Sequence, residues 1–187
     1  MIKDILIPQE RFLLLSCCAP CSCAVIKVLA ENQADFTVVF YNPNIRPYEE
    51  YKRRCDENKR VCEIYGIKFI ELEYDNKRWC QLTKGLETEP ERGKRCSVCF
   101  HMRLKRVMEY AIENNYKAVA SVLGVSRYKD LNQVNEMGKK ASNLVGIPYL
   151  EIEGRKKGMQ ELRLGLIKEF ELYNQDYCGC KPRLKGE

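Results

Sequence analysis

A chain of 187 residues, 45% apolar and 31% charged, has room for one domain with a buried core and is neither disordered nor fibrous by composition. Thirty-two Lys and Arg against 26 Asp and Glu leave a net charge of +6, a bias toward polyanionic partners such as nucleic acid. No run reaches the apolar length of a membrane span, and Met1-Ile2-Lys3-Asp4 lacks the basic-then-apolar order of a secretion signal, so a cytoplasmic protein without membrane contact is expected.

In chain order, residues 12–18 read as a buried strand. Pro20 then stands in the first turn of a helix that should run to about Asn32. Residues 36–41 are a second strand, stopped by Asn42-Pro43-Asn44. A long helix over 47–65 follows, closed by Gly66, and alternation over 68–74 predicts a third strand. Residues 75–95, punctuated by Gly85, Pro90 and Gly93, read as an irregular insertion. Leu104, Val107, Met108 and Ala111 mark one face of a helix over 96–115. Strands over 118–123 and 147–153 flank a helix over 128–145 ended by Gly146, and a last helix spans 159–173. Such alternation predicts one α/β domain over 1–187, a Rossmann-like parallel sheet with helices on both faces. Ligands bind such sheets beyond the carboxyl ends of the strands, and Cys17 and Cys18 lie at one of those ends.

Eleven cysteines and a single His make sulfur the available ligand. An odd count in a reducing compartment points to metal or redox chemistry over a disulfide framework. Cys17-Cys18-Ala19-Pro20-Cys21 places thiols where a strand ends and a helix begins, and helix N-termini stabilise thiolates. Cys96-Ser97-Val98-Cys99 is a C-x-x-C preceded by Arg92, Lys94 and Arg95. Cys178-Gly179-Cys180 can close only a small strained ring, the labile kind of disulfide. Cys17, Cys18, Cys96 and Cys99 suffice for an iron–sulfur cluster, and zinc satisfies the same arithmetic. The third pair favours iron, because a two-electron store beside a metal has a use only if the metal is redox-active. Cys23, Cys55, Cys62 and Cys80 read as chemically idle, and His101 as an ordinary surface imidazole. The first turn has no glycine to admit a phosphate, which disfavours ATP there.

Four segments taken in order resemble the QueH family of epoxyqueuosine reductases. They are Cys17-Cys18-Ala19-Pro20-Cys21, the run from Phe40 through Asn42-Pro43-Asn44 to Tyr51, Glu91 to Phe100 with Arg103-Leu104, and Gln175-Asp176-Tyr177-Cys178-Gly179-Cys180. The resemblance spans nearly the whole chain. It implies a fold similar to the adenine-nucleotide hydrolase group and reduction of the epoxide of epoxyqueuosine to the alkene, the last step of queuosine formation at the wobble position of tRNA. It also implies that Cys17, Cys18, Cys96 and Cys99 hold a [4Fe-4S] cluster, that Cys21 is placed for a second iron ion, and that Cys178 and Cys180 are the redox-active pair. Ser126-Arg127-Tyr128-Lys129 keeps the family's Ser-x-x-Lys shape.

The tRNA anticodon loop is then the expected partner, with an electron donor the sequence does not identify, and a monomer is expected. Arg92, Arg95, Arg103 and Lys129 are the candidate substrate contacts, within a basic rim that adds Lys94, Lys105, Arg106, Lys181, Arg183 and Lys185. Tyr41, Tyr48 or Tyr128 could stack on a splayed base, and Asp176, Tyr177 and Lys129 could supply protons. Two rivals fit parts of the pattern: an ATP-dependent iron–sulfur tRNA-modifying enzyme and a zinc-binding RNA module.

Overall fold

The computed structural model describes residues 9–152, 154–156 and 158–180. Five strands form one parallel sheet in the order β3-β2-β1-β4-β5. Strand β1 (Phe12–Ser16) is buried along its whole length, as a central strand covered on both faces must be. It pairs with β2 (Phe36–Phe40) through Leu14↔Val38 and with β4 (Ala118–Ser121) through Leu14↔Ala120. Strand β3 (Phe69–Glu71) edges one side and β5 (Tyr149–Leu150) the other.

Right-handed crossovers place α1 (Ala19–Glu31) and α2 (Tyr48–Ile64) together over one face, where α6 (Met159–Glu169) packs on α1. The chain then reverses direction across the sheet, so α4 (Lys94–Glu113) and α5 (Leu131–Val145) pack against each other on the opposite face. That reversal lies between β1 and β4, and it opens a crevice beyond their carboxyl ends.

Local chemistry sets most helix ends. Asp130 caps α5 by accepting hydrogen bonds from the backbone N–H groups of Asn132 (2.8 Å) and Gln133 (3.3 Å), and Gly146 ends it at φ +85°. The cap moves the start of α5 three residues beyond the expected Tyr128. Strands β4 and β5 are shorter than the apolar runs that announce them. Residues 123–125 form a 3₁₀ turn, and only Tyr149 and Leu150 of the fifth run are paired.

Residues 75–95 correct the expectation of an irregular insertion. Asp75 accepts from the Arg78 N–H at 3.2 Å and starts α3 (Asn76–Leu82), which buries Trp79 against the core. Seven residues are too few for helical periodicity to stand out, and the cap is concealed among other charges. Among the described residues, no helix is long and apolar enough to cross a membrane.

Candidate metal and redox site

Cys17, Cys18 and Cys21 are all buried, and their sulfurs lie within 4.8 Å of one another, with Cys17 and Cys18 3.8 Å apart. Adjacent strand residues ordinarily point apart. Here β1 ends at Ser16, Cys18 is the extended cap residue of α1, and Pro20 stands in the first turn of the helix, so the turning backbone gathers the three sulfurs. A buried polar network fixes that corner. Ser16 Oγ donates to Asn58 Oδ1 at 2.5 Å, Ser22 Oγ donates to the same oxygen at 3.1 Å, and Asn42 Nδ2 donates to the Ser16 carbonyl at 2.9 Å.

Three cations serve the thiols. Lys129 Nζ is 3.4 Å from Cys17 Sγ, and Arg95 Nη2 is 3.7 Å from Cys180 Sγ. Arg103, 1% exposed, donates from Nε to the Tyr41 carbonyl at 3.1 Å and from Nη2 to Asn42 Oδ1. None of the three forms an ion pair with a carboxylate among the described residues. Arg95 and Arg103 are buried and Lys129 half-buried; buried cations need anions, and the charges near Lys129 and Arg95 are sulfurs.

The thiol acidities follow. The neighbouring thiols of Cys18 and Cys21 hold the Cys17 pKa well below its ordinary value against burial, with Lys129 and Arg103 adding to them. Cys18, hydrogen-bonded to Cys17, is pushed up to about 12. Cys180 beside it, and then Lys129 and Arg103, bring Cys178 down to about 5, while Cys180 rises because of Cys178 and burial. Burial works against the Lys129 ammonium, but the charges of Cys17 and Cys178 outweigh it and raise its pKa.

The C-x-x-C opens α4, as expected for thiols at a helix start. Cys96 is half-buried and Cys99 buried. Neither joins the tight trio, but Cys96 lines the same cavity of about 660 Å³ as Cys17, Cys18, Cys21, Cys178 and Cys180. Burial raises the Cys99 pKa, with Arg103 acting the other way. The Trp79 indole N–H and Arg95 Nε are buried without a hydrogen-bond partner. Thiols that line one cavity, beside cations with no carboxylate partner among the described residues, fit a thiolate-held iron–sulfur group.

Arg95 and Arg103 face inward and do not form an exposed rim. Lys105 pairs with Glu109, and Arg106 reaches Glu73 at 2.7 Å, beside a second cavity of about 640 Å³ that also includes His101. His101 is half-buried with Nδ1 unpartnered, unlike the surface imidazole expected. The mouth of the thiol cavity instead has Arg92, Arg127, Arg155 and Arg163. Arg92 donates to the Arg127 carbonyl at 2.8 Å, and Arg155 to the carbonyls of Ser126 (2.5 Å) and Lys129 (2.7 Å), bracing the loop that carries Lys129.

Tyr128 is 40% exposed at the mouth and Tyr48 is 52% exposed on α2, whereas Tyr41 is buried and out of reach of a base. Cys23, Cys55 and Cys62 are buried and Cys80 exposed. Lys181, Arg183 and Lys185 lie outside the described residues.

Sequence reasoning missed Glu50, Arg54 and Asn58, which occupy one buried face of α2. Their i, i+4, i+8 spacing was the available signal, concealed in a strongly charged helix.

The family model for epoxyqueuosine reductase QueH matches residues 12–184. The epoxyqueuosine reductase QueH of Histophilus somni is 44% identical over 95% of this chain and 73% of its own. That of Acinetobacter baylyi is 44% identical over 94% of this chain and 81% of its own. Among solved structures, the U34-tRNA thiolase NcsA from Methanococcus maripaludis with its [4Fe-4S] cluster superposes with a TM-score of 0.58 at 17% identity, covering 97% of this chain and 64% of that one. A predicted subunit of tRNA methyltransferase from Methanocaldococcus jannaschii gives 0.59 at 14% identity over 83% and 74%. These two likenesses establish the Rossmann-like α/β fold, and the sequence match over almost every described residue establishes more: the chain belongs to the QueH family of epoxyqueuosine reductases.

Proposed function

We propose that this chain reduces the epoxide of epoxyqueuosine, at the wobble position of a tRNA anticodon, to the alkene of queuosine, with the thiol cavity between β1 and β4 as its reaction centre. The observation that carries the reading is the meeting, in one cavity, of the buried Cys17, Cys18 and Cys21 with the Cys178/Cys180 pair. Neither a purely structural zinc site nor an ATP site calls for that second pair.

Cys17, Cys18, Cys96 and Cys99 would hold a [4Fe-4S] cluster, with Cys21 available to a second iron. When bound, such a centre supplies electrons singly and a Lewis acid for the epoxide oxygen. The reaction takes up two electrons and two protons and releases the oxygen as water. Cys178 as thiolate and Cys180 as thiol give one S–S bond, two electrons and one proton, and the second proton comes from the Lys129 ammonium or solvent. An external reductant then reopens the disulfide. Lys129, held at the cavity wall by the carbonyl contacts of Arg155, places an ammonium where charge on the departing oxygen needs a cation and a proton. The mouth arginines suit the phosphates of an anticodon loop, and the exposed Tyr128 ring beside them suits an unstacked base.

The test is anaerobic purification with iron, zinc and sulfide analysis, followed by single-turnover assay on epoxyqueuosine-containing tRNA and mass spectrometry of the released nucleosides. Iron and sulfide near four per chain together with queuosine product are expected. Stoichiometric zinc without sulfide after reconstitution, and no product, would overturn the reading.

A further inference from the structure

The segment that bears Cys178 and Cys180 has no regular secondary structure, yet four of its carbonyls in succession are held. Arg54, on α2 and only 3% exposed, donates from Nη1 to the Cys178 carbonyl at 3.0 Å and from Nη2 to the Tyr177 carbonyl at 3.3 Å. Its guanidinium also lies 4.9 Å over the Tyr177 ring. The third arm, Nε, donates to Glu50 Oε1 at 2.6 Å, and Glu50 in turn accepts from the Tyr173 hydroxyl at 3.1 Å. Arg46 takes the next two carbonyls, with its backbone N–H on Gly179 at 2.8 Å and Nη2 on Cys180 at 3.2 Å. Four successive carbonyls, Tyr177 to Cys180, are thus bound by two arginines. Gly179 fits beneath them at φ +87°, and a Cβ there would stand 3.2 Å from both Nη atoms of Arg54.

These contacts hold main chain and leave the sulfurs of Cys178 and Cys180 turned to the cavity. A Cys-x-Cys pair has a costly ring to close, and closure is cheapest when the backbone is already ordered for it. A planar guanidinium can fork two carbonyls and keep a third arm for its own anchor, which a lysine ammonium does with far less geometric control.

We propose that Arg54, anchored by Glu50, is the positioning residue of the redox pair: it orders the Tyr177–Cys180 backbone so that the Cys178 thiolate and the Cys180 thiol close to a disulfide when they release two electrons and one proton. The assignment rests on the reading that this pair is redox-active, with the epoxide as oxidant of the cycle.

The experiment uses the full chain with its cluster reconstituted. Wild type, Arg54→Lys and Gly179→Ala proteins are equilibrated in glutathione buffers of graded thiol-to-disulfide ratio. The dithiol and disulfide forms of the tryptic peptide 169–183, which the Lys181-Pro182 bond keeps uncut, are then quantified by mass spectrometry. Arg54→Lys should lower the disulfide-to-dithiol ratio about tenfold at a given buffer, about 30 mV for a two-electron couple. Gly179→Ala, which leaves Arg54 in place but crowds it, should shift the ratio in the same direction. A purely structural arginine would lower the denaturation midpoint and leave the ratio unmoved. Wild-type ratios in both variants overturn the proposal. If Arg54→Lys does not fold, Gly179→Ala alone decides, a shift supporting it and no shift overturning it. Wild-type protein that never forms the disulfide, in these buffers or on turnover with epoxyqueuosine-tRNA, sinks the redox reading itself and the role of Arg54 with it.

Discussion

The ammonium of Lys129 lies 3.4 Å from the sulfur of Cys17, although 112 positions separate them in the chain. The contact spans the gap between β1 and β4, since Cys17 follows one strand and Lys129 the loop after the other. It ties a thiol placed for metal binding to the segment that forms the mouth of the cavity. Four consequences of this arrangement can be measured.

Lys129→Met removes the nearest counter-charge of the Cys17 thiolate without emptying the volume. Partners that orient a metal ligand typically contribute 10–100-fold in affinity, so iron retention under chelator challenge should fall by roughly that factor. Lys129→Arg should keep most of it. Iron and sulfide per chain, followed by the visible absorption band, check both.

Cys21 belongs to the tight sulfur trio, whereas Cys96 and Cys99 do not. The four-ligand reading makes opposite demands of them. Cys96→Ser or Cys99→Ser should lose most of the roughly four irons and sulfides of the cluster, while Cys21→Ser should keep them and lose only iron in excess of four. Cluster loss in Cys21→Ser with retention in Cys99→Ser would transfer the fourth ligand to Cys21.

Arg127 is exposed at the cavity mouth and Arg163 is half-buried there, where it donates to the Pro20 carbonyl at 2.6 Å. Each Ala substitution should weaken tRNA binding and make the plot of log affinity against log salt shallower by about 0.7–1, the share of one phosphate contact. Lys105→Ala, whose partner is Glu109, should leave the slope unchanged. Filter binding between low and moderate salt measures all three.

Asn58 is fully buried and its Oδ1 receives two hydroxyls, Ser16 and Ser22. Asn58→Leu leaves Ser16 Oγ without that acceptor beneath the thiol corner, whereas Ser22 Oγ can still turn to the Cys18 carbonyl at 3.1 Å. The cost should be about 1–3 kcal/mol, read as a lower urea midpoint of the metal-free protein. An unchanged midpoint would remove this network from the account of how the corner is held.

The amino-acid sequence by itself determined the α/β class and the parallel sheet, and it put a cluster of thiols at the end of the first strand. Those rest on local quantities: the apolar run of β1, Pro20 at the start of α1, Gly146 after α5, and thiols at the end of a strand. It also marked Cys178-Gly179-Cys180 as a pair, because one intervening residue is itself a local fact. Only the tertiary structure decided which cations meet those thiols. Arg95 and Arg103 read as surface charges in a basic helix, and they are buried because α4 turns that face to the crevice. Arg54 and Glu50 gave no local sign of touching a segment more than 120 positions later. The strand order brings β1 beside β4 and so Cys17 beside Lys129, and that order follows from how the crossovers cover both faces of the sheet. Periodicity and capping act within a few residues along the chain, whereas the pairing of buried charges is settled by which surfaces the whole fold takes out of water.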